Sequence, residues 1–152
     1  MGSTAEMMRA HPFFAGLPGD TVGLFAEGAT AMDFPRGCYL FREGEPARRL
    51  YAIRHGQVAM EVYTPANGPV VVDTLRDGDV AGWSWLITPY RYLLDARAVT
   101  PVSAIAFDGA YLRYACRASP PAGYALLTRM GAVMDRRFRS VAAAGSGAAG
   151  HR

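Results

Sequence analysis

Five glycines, Gly37, Gly44, Gly56, Gly78 and Gly82, punctuate the middle of this chain, and their spacing constrains the fold more than any other feature. Glycine turns the backbone where other residues are strained, so each one marks a place where an extended run ends. The runs between turn residues are short: Cys38–Phe41, Leu50–Arg54, Gln57–Tyr63, Val70–Arg76, Leu94–Thr100 and Ser103–Phe107. In the third, Val58, Met60 and Val62 alternate with Ala59, Glu61 and Tyr63, the period of a half-buried strand. Asn67-Gly68 is a hairpin signal between two runs. Many short strands with such punctuation predict a mainly β fold, an antiparallel sandwich or barrel.

Helical patterns frame this β region. Residues 4–9 suit a short helix, and His11-Pro12-Phe13-Phe14 opens an apolar entry segment. Asp20 is placed to cap a helix through Glu27, and Asp108 to cap one reaching about Ala118. Pro120-Pro121 ends that helix and can begin the next, because proline is tolerated in a first turn. From Gly123 to Val141 the apolar residues Leu127, Met130, Met134, Phe138 and Val141 recur at spacings of three and four. Such a stripe either packs on the sandwich or pairs with a second copy. The tail 142–152, nearly all Ala, Gly and Ser, is expected to be disordered. The organisation is therefore an N-terminal helical segment (1–28), a β domain (29–107), C-terminal helices (108–141) and the tail.

The stretch Asp77-Gly78-Asp79-Val80-Ala81-Gly82-Trp83-Ser84-Trp85-Leu86 has the frame of an anion cradle. Gly82 leaves room for close approach, and a short helix beginning at Trp83 would point free N–H groups at the anion. Together with Phe41-Arg42-Glu43-Gly44-Glu45, Leu50-Tyr51-Ala52-Ile53-Arg54-His55-Gly56 and Ala96-Arg97-Ala98-Val99-Thr100, this stretch resembles the cyclic nucleotide-binding domain of the catabolite-activator (Crp/Fnr) and kinase-regulatory-subunit type. The resemblance covers residues 11–140. It implies an antiparallel double-stranded β-helix (jelly roll) with N-terminal helices, a ligand cassette between two strands, and a long C-terminal helix that transmits binding and pairs with its twin. In that family a Glu after the cassette glycine takes the ribose hydroxyl, and an Arg about ten residues after the glycine pairs with the cyclic phosphate. Here Trp83 stands at the acid's position and Tyr92 at the arginine's, with Arg91 beside it. The cassette is thus degenerate, and its candidate ligand residues are Gly82, Trp83, Ser84, Trp85, Leu86, Arg91 and Tyr92. The two tryptophans either stack on a ligand or fill the pocket.

The 152 residues suffice for one domain with a full core and are too few for two ordinary ones. All 16 basic residues are arginine, whose forked guanidinium suits carboxylate and phosphate. A net charge of +3 permits an anionic ligand without arguing for nucleic acid. Cys38 and Cys116 are widely separated, and His11, His55 and His151 form no ligand pair, so neither a metal nor another cofactor is expected. Ser84 lacks the surroundings of a nucleophile, and no catalytic residue is indicated. The residues after about 140 offer no helix-turn-helix, so direct DNA binding is not expected. No apolar run suits a signal peptide or membrane span, and the expected location is the cytoplasm. These features describe a non-catalytic regulatory sensor of a cyclic nucleotide or other small anionic ligand, acting through a homodimer or a protein partner. The alternative is a ligand-independent interaction module with a filled cassette.

Overall fold

Short strands joined by tight turns fold back on one another into two antiparallel sheets. The computed structural model describes residues 3–150 and, at 141 and 143–150, the backbone alone. The chain divides into two units, Met1–Ala115 and Cys116–Arg152.

The first unit begins with α1 (Thr4–Ala10) and α2 (Gly19–Ala26). Eight strands follow: β1 (Ala29–Phe34), β2 (Tyr39–Phe41), β3 (Arg49–His55), β4 (Val58–Thr64), β5 (Gly68–Leu75), β6 (Val80–Ala81), β7 (Asp95–Ala98) and β8 (Val102–Asp108). One sheet has the order β1-β8-β3-β6, the other β2-β7-β4-β5. This is the jelly roll that the sequence implies. β1 and β6 are the strands its apolar runs do not mark. β1 has no fully buried side chain, half of its residues being exposed, and β6 is two residues long. The β4–β5 hairpin turns at Asn67-Gly68, where Thr64 Oγ1 accepts the Asn67 N–H and donates to the Gly68 carbonyl.

Between the sheets lie Phe41, Tyr51, Ile53, Val58, Met60 and Leu75, with Ala81, Ala96, Ala98, Ala104 and Ala106 among them. The alanines leave room for the large aromatic side chains to interdigitate at crystal-like density. The sheet containing β3 and β8 is also covered on its other side. Met8, Phe14, Val22, Phe25, Leu50 and Phe107 are fully or almost fully buried, and the rings of Phe14 and Phe107 lie 5.1 Å apart. Each such side chain contributes about 1.5–3 kcal/mol by leaving water.

His11 fastens the segment between α1 and α2 to this sheet. Its Nδ1 accepts the Phe13 N–H at 3.1 Å, which places the ring proton on Nε2, 2.8 Å from the Ile53 carbonyl. Burial holds the imidazole pKa below its ordinary value. Asp20 falls in the first turn of α2 rather than capping it. Pro18, extended at φ −56°, takes the cap position, and Asp20 Oδ1 accepts the neighbouring Thr21 N–H. Asp108 caps as expected, accepting the Tyr111 N–H at 2.7 Å at the start of α3 (Gly109–Ala118).

The second unit holds the end of α3 and α4 (Pro120–Gly150). Gly123 lets α4 start close to α3, since a Cβ there would meet the Cys116 carbonyl at 2.9 Å. The backbone of 142–150 continues α4, consistent with alanine's helix propensity, where the sequence suggests a disordered tail; 151 and 152 lie outside the described residues. Ala122, Leu126, Met130 and Val133 form the buried face of α4. Met130, at 2% exposed, is therefore not part of the open stripe, whereas Leu127, Met134 and Phe138 are 38%, 44% and 74% exposed. Tyr124, also exposed, continues their three-four spacing by one step, and the side chain of Val141 lies outside the described residues. Among the described residues no helix is long and apolar enough to cross a membrane.

Candidate ligand cassette

The cassette begins where β6 ends. Gly82 has φ +95°, and a Cβ there would lie 2.9 Å from the Arg49 carbonyl oxygen, so both backbone shape and space require glycine. The chain then winds through one 3₁₀ turn, Trp83–Trp85, closed by the Leu86 N–H on the Trp83 carbonyl. The first N–H groups of such a turn have no partner within it, as an anion cradle needs. The predicted residues Gly82 to Leu86 are thus together in one turn.

The two tryptophans part company at this turn. Trp85 is fully buried, and it fits because position 109 is glycine, where a Cβ would come within 2.9 Å of the Trp85 Cβ. Its indole Nε1–H has no hydrogen-bond partner among the described residues, at a cost of about 1–3 kcal/mol. Trp83 and Ser84 remain half-buried. Arg113 of α3 holds the turn from behind, donating to the Trp85 carbonyl while its guanidinium lies 4.2 Å over the Tyr90 ring.

Tyr92 occupies the space above Gly82. Its ring stacks on Phe41 at 3.8 Å and 11°, and its Cε1 would be 3.3 Å from a Cβ on Gly82. Its hydroxyl donates to the Arg49 carbonyl at 2.7 Å and accepts the Arg49 N–H at 3.1 Å. Both polar groups of β3 at that point are thereby satisfied by one side chain. Burial, partly offset by the bond to the Arg49 backbone, pushes the phenol up from 10.0 to about 12, so it is neutral at any ordinary pH. Arg91 is exposed and donates to the Gly44 carbonyl at 2.8 Å, which pins the loop 44–46 to residues 90–92. A cavity of about 170 Å³ remains beside Tyr92, lined by Leu40, Phe41, Glu45, Arg48, Arg49 and Tyr51. That is below the roughly 300–1,000 Å³ of most small-molecule sites. Phe41, Arg49, Gly109 and Arg113 escaped the sequence reading because each meets the cassette across strands or from α3, with no local spacing to reveal it.

The sequence matches the Cyclic nucleotide-binding domain family over residues 31–119, more than half of the chain. The chain belongs to that family. Among solved structures with the same fold is a Geobacter metallireducens protein named for cyclic nucleotide binding. It is 29% identical, with a TM-score of 0.80, and the match covers 91% of this chain and 99% of that one. The N-terminal domain of a Streptomyces coelicolor transcriptional regulator is 25% identical with a TM-score of 0.68, covering 91% of this chain and 94% of that one. The sensor domain of the regulator DNR from Pseudomonas aeruginosa shares the fold at 23% identity and a TM-score of 0.68, with 88% and 90% covered. Among curated proteins none matches. This member of the cyclic nucleotide-binding domain family therefore shares its fold, along most of its length, with the N-terminal domain of a transcriptional regulator.

Proposed function

We propose that this chain is a non-catalytic regulatory domain that senses a small anionic ligand, a cyclic nucleotide or a related molecule, at the cassette formed by Gly82 to Leu86 with Arg91 and Tyr92. The observation that carries this reading is the Gly82 turn itself. A left-handed glycine opens a single 3₁₀ turn in a domain of the cyclic nucleotide-binding family, and the first amides of that turn are the anion-binding element. The Ser84 hydroxyl adds a donor. The signal passes to a second copy of the chain or to a partner protein along α4, whose exposed Leu127, Met134 and Phe138 supply the contact. For a ligand to reach Gly82, Tyr92 must swing off Phe41 and release the Arg49 backbone.

The position of Tyr92 also favours a second reading, an interaction module whose cassette is filled by its own side chains. Titration calorimetry with cyclic AMP and cyclic GMP at millimolar concentration separates the two. Heat with either, lost in Gly82→Ala, supports the sensor. No heat and no thermal shift with either nucleotide removes it and leaves the filled module.

A further inference from the structure

We propose that the cavity bounded by Arg48, Tyr90, Asp108 and Arg113 is a second binding site, for a small ligand carrying a phosphate or carboxylate group. It adjoins the Gly82–Tyr92 cassette, sharing Pro46 and Arg48 with the smaller cavity beside Tyr92, but opens on the Tyr90 and Arg113 side and does not require the cassette to take a ligand. The cavity measures about 290 Å³, with Pro46, Ala47 and Ala110 completing its wall. This is close to the lower end of the volumes that hold small organic ligands.

Its chemistry is cationic and largely uncompensated. Arg113 is half-buried, and two contacts fix the plane of its guanidinium, the Trp85 carbonyl and the face of Tyr90. Neither contact carries a negative charge, and most of the five guanidinium N–H donors are left over. A cation drawn partly out of water without a counter-ion is costly, and an oxyanion relieves that cost. Arg48 lies across the cavity on a backbone held on both sides, its N–H on the Pro46 carbonyl and its own carbonyl accepting the Gly109 N–H. Its guanidinium has no hydrogen-bond or ion-pair partner among the described residues. Asp108 is the carboxylate in this wall, and its Oδ1 is engaged by the Tyr111 N–H as the cap of α3. Two guanidiniums against one carboxylate leave the wall positive. The planar guanidinium fork matches the oxygens of phosphate or carboxylate, and this wall holds two.

The test is a titration of the isotope-labelled chain with inorganic phosphate, with acetate and with chloride at matched ionic strength. The Arg113 side-chain Nε–H and the Tyr90 amide are followed by NMR. Saturable shifts with phosphate or acetate and not with chloride are expected, and whichever saturates at the lower concentration names the head group. Arg48→Ala, at an exposed side chain that the fold does not use, is expected to weaken binding roughly tenfold or more. Arg48→Lys keeps the charge without the fork and should retain part of the affinity. Shifts that never saturate, a chloride response equal to the others, or unchanged affinity in Arg48→Ala overturn the proposal.

Discussion

Tyr92 shows how one side chain decides the state of a pocket. Its hydroxyl answers both polar groups of Arg49, so Tyr92→Phe keeps the ring on Phe41 and strands a donor and an acceptor. A loss of about 1–3 kcal/mol is expected in denaturant unfolding. The phenol is held above its ordinary pKa, so its contribution to stability is complete below pH 10.0 and disappears as pH rises through about 12. Absorbance of phenolate should accordingly show Tyr92 ionising late, as Tyr111 also does because burial raises it, and Tyr92→Phe should remove one of those late steps. Gly109 makes the complementary case. A methyl there collides with Trp85, so Gly109→Ala is expected to destabilise by about 1–3 kcal/mol, read by thermal unfolding. The positions of Gly82, Trp83, Trp85 and Tyr92 were legible in the sequence because they share one local stretch. That Tyr92 lies over Gly82 was not, since the strand beneath them, β3, is some thirty to forty residues earlier in sequence.

At the scale of elements, the joint between α1 and α2 depends on a neutral histidine. His11 accepts the Phe13 N–H at Nδ1 and donates from Nε2 to β3, and a second ring proton would face the Phe13 N–H head-on. Its pKa is depressed, chiefly by burial and slightly by Arg54, against the opposing pull of the Ile53 carbonyl and Asp79. The sign follows: the joint is at full strength above pH 6.5 and weakens as acid drives the pH through the lowered folded value. Protection factors at the amides of 11–17, taken relative to the intrinsic exchange rate at each pH, should fall on acidification below pH 6.5, and His11→Gln should abolish that pH dependence. Most elements were legible because their signals are local: the β-type run of β4, Asn67-Gly68 in the hairpin, Asp108 before α3. The half-buried alternation expected of β4 is not seen, since Val58 to Glu61 are all buried, Glu61 in an ion pair with Arg97. The α2 cap was missed by two residues because Pro18 sets the extended geometry that Asp20 alone suggested. The stripe on α4 was correct in period and mixed in face. Met130 belongs to the buried row with Leu126 and Val133, and sequence spacing alone cannot separate two adjacent rows on one helix.

For the whole molecule, the open row Tyr124, Leu127, Met134 and Phe138 is the expected contact between two copies. Met134→Asp places a charge in that row at an exposed position, so the folded monomer should survive while the dimer dissociates. Light scattering and circular dichroism together check both halves, and a monomeric parent protein at tens of micromolar would leave the row without a partner copy. The chain also carries its own optical gauge. It has two tryptophans, and both lie in the single turn after Gly82, one enclosed and one half-open. Its emission, when excited at the red edge where tryptophan absorbs and the eight tyrosines do not, therefore comes from the cassette alone. Trp85 should emit toward the blue and resist iodide, while Trp83 emits further to the red and is quenched. Any movement of that turn would be visible as a change in colour, without a label attached anywhere.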